Sequence, residues 1–330
     1  MRVVVLGSNS FTGSHVVAKA LQEGASVLGI SRSLEPEMPF LPRTWISSGD
    51  GHFLFLQADL NTQLAEASDA IRDFKPEIVI NFAAQSMVAQ SWDNPDHWYR
   101  TNVVALSRLA NDLEALPTLE RYVHVTTPEV YGSTSDWISE NEDFAPSTPY
   151  AVSRAAGDWH LLAMHRARGF PVIFTRAANV FGPGQQLYRI VPKAALFARL
   201  GRELILHGGG VSRRSFIHVD DVAAATLLIS QRGILGRSYH ISTDELVSIS
   251  ELVTKVFEMA GVRDPYQHIA AGQERLGKDL GYFLDSSRLR NELGWRPRVN
   301  LESGIESVVR WIDSNIDELS DVPSEYVHKP

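Results

Sequence analysis

The chain has 330 residues, of which 44% are hydrophobic and 21% are charged, and its formal net charge is −8. This composition excludes a disordered or fibrous chain, and the acidic balance argues against a general binder of nucleic acid or of membrane surfaces. The chain has no cysteine, which excludes disulfides and thiolate sites, and its first apolar run is too short for a signal peptide, so we expect a cytoplasmic protein.

Strands and helices are predicted to alternate through the first half of the chain. Val3 to Leu6 is a continuous apolar run typical of a strand buried on both faces, and residues from His15 to Glu23 have helical spacing. Further strands are predicted at ASVLGIS, HFLFLQADL and EIVINFAA, with a helix near Gln63 to Phe74. This alternation predicts a parallel sheet flanked by helices.

The alternation continues through a helix from about Pro95 to Leu116, the strand RYVHVTT and the helix that contains Tyr150. Beyond residue 178, glycine, arginine and proline become frequent, which indicates a smaller α/β lobe across the strand ends. We therefore predict a dinucleotide-binding domain over 1–178 and a ligand-binding lobe over 179–330. A segment near 215–243, including the strand SYHIS, is expected to return to the large lobe. The last residues, SDVPSEYVHKP, are expected to fray.

A turn rich in small residues follows the first strand and precedes the first helix. Gly7, Ser10 and Gly13 occupy its three small-residue positions, with Phe11 and Thr12 between the last two. Small residues there permit a tight turn, the approach of a pyrophosphate to the backbone, and close packing of helix on strand. The turn predicts dinucleotide binding in a doubly wound sheet of the Rossmann type, although a plain strand-turn-helix connection would share part of the pattern.

The end of the second strand bears on the choice of dinucleotide. Sites for NAD usually have an acidic residue there, whereas this chain has Ser31 followed by Arg32. Because no carboxylate repels a 2′-phosphate, NADP is favoured. The alternative is that Arg32 is a solvated loop residue and that the site accepts NAD.

Tyr150 and Arg154 lie four residues apart on a predicted helix, and therefore on the same face. A nearby cation lowers the pKa of a tyrosine, which would let Tyr150 act as a base toward a sugar or alcohol hydroxyl. On an arbitrary helix such a pair is more often structural.

Several motifs in order resemble those of the extended short-chain dehydrogenase/reductases. They are the glycine turn, NFAAQS, TTPEVYGS, the Tyr-x-x-x-basic helix, RRSFIHVDD and ERLGKDLGYFLDSSRLRNELGWRP. Within that family the chain is most similar to the nucleotide-sugar 4,6-dehydratases, such as those acting on dTDP-glucose and GDP-mannose. The resemblance covers about the whole chain. The family normally has lysine where this chain has Arg154, which keeps the charge but cannot lose a proton.

The resemblance implies which residues contact the cofactor and which carry the chemistry. The implied reaction moves a hydride from C4 of a hexose to the cofactor, removes water across C5 and C6, and returns the hydride to C6. Thr127 would hydrogen-bond to the sugar 4-hydroxyl and Glu129 would take the proton from C5. The implied cofactor contacts are Gly7, Ser10, Phe11, Thr12, Gly13, Ser31, Arg32, Asp59, Leu60, Ala83, Ala84, Tyr150 and Arg154.

Pro128 departs from the family pattern, which usually has aspartate or serine there to help protonate the leaving 6-hydroxyl. This leaves open decarboxylation of a nucleotide-linked uronic acid, 4-epimerisation and simple reduction. It also leaves open that Glu129 only binds backbone N–H groups. From another class of protein, Ser10, Pro128 and Arg154 are compatible with a cofactor-binding regulator whose chemistry has decayed.

Arginine side chains suit the diphosphate of a nucleotide sugar, because guanidinium binds phosphate oxygens in pairs. The resemblance implies substrate contacts at Gln85, Ser86, Thr127, Asn179, Arg189, Arg214, Arg275 and Tyr282. It also implies a homodimer formed by two long helices. The histidines show no spacing suited to a metal, and His124 is expected to be a core residue, so no metal is predicted.

Overall fold

The computed structural model describes residues 1–46, 49–134, 136–273 and 281–329. In chain order, its strands and helices are β1 (Arg2–Leu6), α1 (Phe11–Gln22), β2 (Ser26–Ser31), α2 (Pro42–Trp45), β3 (His52–Gln57), α3 (Leu64–Phe74), β4 (Ile78–Asn81), α4 (Pro95–Tyr99), α5 (Leu106–Glu114), β5 (Arg121–Val125), β6 (Trp137–Ile138), α6 (Pro149–Arg168), β7 (Val172–Ala177), β8 (Asn179–Phe181), α7 (Ile190–Leu200), β9 (Leu204–His207), β10 (Arg213–Arg214), β11 (Phe216–His218), α8 (Val219–Arg232), β12 (Ser238–Ile241), β13 (Val247–Ser248), α9 (Ile249–Met259), β14 (Ile269–Gly272), β15 (Phe283–Leu284), α10 (Ser287–Leu293), α11 (Leu301–Ser314) and α12 (Ile316–Leu319).

Seven parallel strands form the central sheet in the order β3-β2-β1-β4-β5-β7-β12. Val3, Val4 and Val5 of β1 have no exposed surface, as expected of a strand covered on both faces. The strand order reverses between β1 and β4, and ligands of such sheets bind in the crevice beyond the carboxyl ends at that point. The predicted doubly wound α/β fold of the Rossmann type is confirmed.

Helices cover both faces of the sheet. On one face, Ile71 of α3, Leu109 of α5 and Leu161 of α6 are fully buried in a shared apolar cluster. On the other face, Val16 of α1 and Leu227 of α8 pack against β1 and its neighbours. The chain thus returns to the large sheet through α8 and β12, which pairs in parallel with β7.

A separate apolar core is built from α7, α9 and α11. Val191, Val256 and Ile305 are fully buried within it, one from each helix. The short pairs β8 with β11, β9 with β14 and β10 with β13 lie in the same half of the chain. The domain boundary at residue 178 stays a prediction. Among the described residues, no helix combines the length and the apolar character needed to cross a membrane.

The single helix predicted from Pro95 to Leu116 is interrupted in the structure. A π-helical segment, Arg100–Ala105, separates α4 from α5. Asn102 lies in this segment. Its Oδ1 accepts from the backbone N–H of Gln85, and its Nδ2 donates to the Gln85 carbonyl oxygen and to Ser153 Oγ, each at 2.9 Å. Such π-helical insertions are frequent at functional sites. The available signal in the sequence was an asparagine, Asn102, among the apolar residues of the helical pattern.

Candidate active site

The turn between β1 and α1 needs glycine at two positions. Gly7 has φ +74°, and a Cβ built on it would lie 2.9 Å from the backbone nitrogen of Ala83 at the end of β4. A Cβ on Gly13 would lie 2.4 Å from the carbonyl oxygen of Gly7. Real Cβ atoms do not approach backbone atoms so closely, so the turn and the first turn of α1 pack only with glycine at both places.

Ser10, in the middle position of the turn, is the N-cap of α1. Its hydroxyl accepts a hydrogen bond from the backbone N–H of Gly13 at 3.2 Å. This side chain therefore takes one of the free N–H groups that the sequence pattern predicts for a phosphate. An anion at this helix end meets the serine hydroxyl as well as the remaining backbone donors.

The residues predicted to contact the cofactor lie together at the carboxyl ends of β1 to β4. Ser31 Oγ accepts from the backbone N–H of Asn9 at 3.0 Å, which ties the end of β2 to the glycine turn. The Asp59 carboxylate accepts from the N–H of Asn61 at 2.8 Å beyond β3. The residues of this edge are Gly7, Ser10, Phe11, Thr12, Gly13, Ser31, Arg32, Asp59, Leu60, Ala83 and Ala84.

Tyr150 and Thr127 meet where α6 begins beside the end of β5. The N-cap Thr148 accepts from the N–H of Ala151 at 3.1 Å, which starts α6 and places Tyr150 in its first turn. The Thr127 hydroxyl lies close enough to Tyr150 to lower the pKa of its phenol, and it accepts from the N–H of Glu129 at 3.3 Å. Three of the four predicted catalytic residues are thus linked.

The electrostatic environment of Tyr150 differs from the expectation in one respect. Burial raises the pKa of Tyr150 and is the largest influence on it, followed by the Arg154 charge, which lowers it. Glu129 raises this pKa further, whereas the Thr127 hydrogen bond and the Arg189 charge lower it. The Arg154 charge lowers the pKa of Tyr150, as predicted. The prediction that this pKa is lowered overall is wrong, because the effect of burial is larger than that of the charge.

Arg154 is held against the end of β5 and is only 4% exposed. Its Nη2 donates to the carbonyl oxygen of Val125 and lies 3.4 Å from His124 Nε2. Burial, Arg154 and Arg176 hold the pKa of His124 well below its ordinary value, so this imidazole is neutral and accepts from the guanidinium. The contact of Arg154 with a cofactor ribose stays a prediction.

The local structure explains why a proline is accommodated at position 128. Thr127 is the N-cap of a 3₁₀ helix over Pro128–Tyr131. Proline fits the first position of a helix, because a backbone N–H at that position would have no partner within the helix and its loss therefore costs nothing. Pro128 is buried, and Glu129 follows it half-buried beside Tyr150. The tight turn therefore aims Glu129 into the site while removing a proton donor from the middle of the motif.

The residues predicted to bind substrate form two groups. Asn179 Oδ1 accepts from the Tyr282 hydroxyl at 3.4 Å, and the Arg214 guanidinium lies over the Tyr282 ring at 5.0 Å. Arg189 lies close enough to lower the pKa of Tyr150. Gln85 is buried after β4 and is followed by exposed Ser86, whereas Arg275 lies outside the described residues.

This geometry can be compared with known proteins. The sequence model of the family described as GDP-mannose 4,6 dehydratase matches residues 4–308, which is most of the chain. The chain belongs to this family. The predicted resemblance to nucleotide-sugar dehydratases and epimerases of the extended short-chain dehydrogenase/reductases is confirmed.

Curated relatives cover nearly the whole chain. The dTDP-glucose 4,6-dehydratase of Streptomyces niveus is 32% identical over 328 residues, covering 96% of this chain and 94% of that protein. A trifunctional UDP-glucose 4,6-dehydratase of Arabidopsis thaliana is 27% identical over 99% of this chain. The chain spans 49% of that longer relative.

Solved structures share the fold at similar identity. The dTDP-glucose 4,6-dehydratase DesIV from Streptomyces venezuelae, with NAD and TYD bound, has a TM-score of 0.87 at 28% identity and covers 96% of this chain and 98% of its own. A UDP-glucose 4-epimerase from Thermotoga maritima, solved with UDP-glucose, has a TM-score of 0.86 at 25% identity, covering 96% and 100%. Dehydratases and epimerases of this family therefore share one scaffold.

A buried charge cluster beneath this family site was missed by the sequence analysis. Asp158 lies one turn after Arg154 on α6, and its carboxylate accepts from Arg176 at 2.7 Å and from Thr126 at 3.1 Å. Burial raises the pKa of Asp158, while Arg176 and Arg154 lower it. An acidic residue on the same stripe of the helix as Tyr150 and Arg154 was the available signal.

Among the residues that the structure describes, no group of three or more histidine, aspartate or glutamate side chains is arranged to hold a metal ion. His124, expected in the core, is 2% exposed and is engaged with Arg154 instead of a ligand set. The absence of a metal from the mechanism stays a prediction.

Proposed function

We propose that this chain converts a nucleotide-diphosphate hexose to the 4-keto-6-deoxy sugar by internal hydride transfer through a nicotinamide dinucleotide. The observation that carries the proposal is the linked set Tyr150, Thr127 and Glu129 at the carboxyl edge of the sheet, beside the glycine turn. It brings together a phenol, a hydroxyl and a carboxylate where α6 begins beside the end of β5. These are the groups that oxidation at C4 and proton removal at C5 require.

The glycine turn and the residues at the ends of β2 and β3 suit a dinucleotide, because Gly7 and Gly13 let β1, α1 and the end of β4 pack closely and the start of α1 offers backbone N–H groups to a phosphate. Bound there, the dinucleotide supplies the hydride acceptor and donor. Tyr150 takes the proton of the sugar 4-hydroxyl, and Thr127 orients that hydroxyl. Arg154 stabilises the phenolate charge, which offsets part of the effect of burial on Tyr150.

Glu129 takes the C5 proton once C4 is a ketone, because the ketone acidifies the neighbouring C–H bond. The proton then passes from Glu129 to the leaving 6-hydroxyl, which departs as water. Pro128 offers no side-chain donor for that step, so in this chain Glu129 serves as base and then as acid. The returned hydride adds to C6 and a proton returns to C5, which balances the proton that Tyr150 took from the 4-hydroxyl, so the reaction has no net redox change.

The substrate diphosphate is proposed to lie between the two arginine positions, Arg189 near Tyr150 and Arg214 near Asn179. Arg214 is 8% exposed and its ring contact with Tyr282 holds the guanidinium in place. Guanidinium groups of this kind bind phosphate oxygens in pairs. Gln85, Ser86 and Arg275 are proposed as further contacts on the strength of the motifs that contain them.

NADP is the proposed dinucleotide. Ser31 and Arg32 end β2 with a cation and without a carboxylate, which favours a 2′-phosphate. The solved relative DesIV holds NAD, so the alternative is that Arg32 is not used and that the chain accepts NAD. Titration of the purified chain with each dinucleotide distinguishes the two, and equal or tighter binding of NAD would contradict the preference.

The activity is tested by incubating the chain with dTDP-glucose, UDP-glucose and GDP-mannose and following the alkaline absorbance of a 4-keto-6-deoxy product. Tyr150→Phe and Glu129→Gln are each expected to lower kcat by about 100- to 10,000-fold, the usual contribution of a positioned acid or base. Tyr266→Phe is the matched control, because that tyrosine is 74% exposed and far along the chain from the site. Full activity of Glu129→Gln would refute its assignment as the C5 base.

Pro128 keeps a second candidate open, a 4-epimerase or a uronate decarboxylase on the same scaffold. An epimerase needs no C5 base and returns the hydride to C4, so its product keeps the 6-hydroxyl. A product with an unchanged mass but inverted C4 identifies epimerisation, and release of CO₂ identifies decarboxylation. Dinucleotide binding without turnover of any sugar would instead indicate the regulator.

We also propose a homodimer formed through α6 and the helices beside it. Val152 and Trp159 lie seven residues apart on one face of α6 and are 40% and 42% exposed, and Val104 on the neighbouring π-helical segment is 43% exposed. Exposed apolar side chains on adjacent helices favour a partner surface. Light scattering is expected to give twice the chain mass, and Trp159→Arg is expected to give the monomer.

We further propose a cytoplasmic location. The chain has no cysteine, and proteins of a reducing compartment do not depend on disulfides. Cell fractionation of the native protein tests it. Recovery of the chain in an oxidising compartment would contradict the proposal.

A further inference from the structure

The last described residues do not fray, in contrast to the expectation from the sequence. Glu325–Lys329, here called the strap, contacts both the lobe built on α7 and the edge of the large sheet. These contacts fall on residues to which the proposed function assigns ligands. The strap therefore needs an explanation beyond chain termination.

At its first residues the strap is anchored to the smaller lobe. Glu325 Oε1 lies 2.5 Å from Lys193 Nζ on α7, and the Tyr326 ring packs edge-on against Tyr188 at 5.2 Å. Burial and Tyr188 raise the pKa of Tyr326, while Arg32 and Arg189 lower it, so this phenol lies within electrostatic reach of both arginines. Tyr326 thus stands between the proposed dinucleotide and diphosphate groups.

The next part of the strap stacks on α4. The His328 ring lies parallel to the Trp98 ring at 4.9 Å, and Trp98 has no exposed surface. His328 Nε2 is also 2.9 Å from His97 Nδ1, so one imidazole donates to the other. A stacked ring with a hydrogen bond is a specific docking contact and not a loose chain end.

The strap ends across the glycine turn. The carbonyl oxygen of Lys329 accepts from Gln85 Nε2 at 2.8 Å and from Arg32 Nη1 at 3.3 Å. Gln85 follows β4 and Arg32 follows β2, and these strands flank β1 on either side. Because neighbouring strands are about 4.8 Å apart, one carbonyl bridges a gap of about 10 Å over the crevice where a dinucleotide lies in this fold.

We propose that the strap is an internal competitor for the nucleotide cleft. In the closed arrangement its Lys329 carbonyl accepts from Arg32 and Gln85, Tyr326 packs on Tyr188, and His328 stacks on Trp98. Binding of the dinucleotide or of the nucleotide sugar displaces the strap. When the ligand dissociates, the strap returns to the closed arrangement. The inference rests on the proposed function only in assigning nucleotide ligands to this cleft.

The size of the effect follows from the closed population. A ligand that binds only the open arrangement has an apparent affinity reduced by the open fraction, so a strap closed nine-tenths of the time weakens binding about tenfold. Deleting the strap removes this competition. The same deletion has no effect on affinity if the strap lies outside the ligand path.

The test compares the full chain, a chain ending at Ser324, and His328→Ala in the full chain. Val327→Ala is the matched control, because Val327 lies in the strap but is 70% exposed. After charcoal treatment to remove bound nucleotide, each protein is titrated by calorimetry with NADP⁺, NAD⁺, dTDP and UDP. We expect tighter binding for the shortened chain and for His328→Ala, by about tenfold at nine-tenths closure, and an unchanged Kd for Val327→Ala.

Equal affinities for the full and shortened chains would overturn the proposal. Weaker binding by the shortened chain would also overturn it, because the strap would then be a cover that contributes contacts to the ligand. None of these measurements needs turnover, so a failure of the dehydratase assay is seen separately.

Discussion

Replacing Asp158 with asparagine tests the buried charge cluster that supports Arg154. Arg176 and Asp158 are only 1% and 3% exposed at a separation of 2.7 Å, and the same carboxylate accepts from Thr126. Asparagine keeps the size but leaves two buried guanidinium groups without their anion. Removing one partner of a buried ion pair costs about 3–5 kcal/mol, so Asp158→Asn is expected to lower the free energy of unfolding by that amount.

The matched control is Glu142→Gln, which breaks a pair of the same length. Arg166 and Glu142 are also 2.7 Å apart, but they are 57% and 47% exposed, and such surface pairs contribute about 0–1 kcal/mol. Urea unfolding followed by circular dichroism at one protein concentration measures both losses. A loss for Asp158→Asn as small as that of the control would refute the reasoning, and would mean that burial already keeps this carboxyl protonated.

Three further predictions follow from individual residues. Gly13→Ala is expected to weaken dinucleotide binding and to cost about 1–3 kcal/mol of stability, because its Cβ would lie 2.4 Å from the Gly7 carbonyl oxygen; unchanged calorimetric and urea curves would contradict this. Arg32→Ala is expected to weaken NADP more than NAD in parallel titrations, and an equal change for both would remove the proposed 2′-phosphate contact. The pKa values of buried His124 and His240 are held well below 6.5, so their contribution to stability is present above pH 6.5 and is lost as the pH falls. Unfolding by urea is expected to become easier by about 1.4 kcal/mol per pH unit for each histidine below 6.5, and His240→Gln is expected to remove its share; an unchanged pH slope in that variant would contradict the assignment.

The sequence was sufficient for the sheet and for the positions of the glycine turn and of the helix that carries Tyr150, because these depend on local patterns. Strand β1 and the glycine turn follow from a run of buried valines and from small residues at fixed spacing. Tyr150 and Arg154 share a helix face for the same local reason, and Thr127 and Glu129 lie together because a proline starts a short helix between them.

Contacts between distant parts of the chain were not accessible in this way. The pKa of Tyr150 depends on how deeply it is buried, which no spacing reveals, and the sign of its net change was wrong for that reason. The Asp158 cluster and the strap likewise join residues far apart in sequence, such as Lys329 and Gln85. Polar residues at the chain end resemble a frayed tail until their docking partners are known.

The position of β12 has a consequence for how the chain is made. The edge of the large sheet at β7 receives its last partner from residues 238–241, which leave the ribosome long after Val172–Ala177. Until then β7 is an apolar edge strand with unpaired backbone N–H and C=O groups, which can pair with a strand of another nascent chain. A fragment ending at residue 178 would keep that edge unpaired permanently, so this fragment is expected to precipitate when expressed by itself.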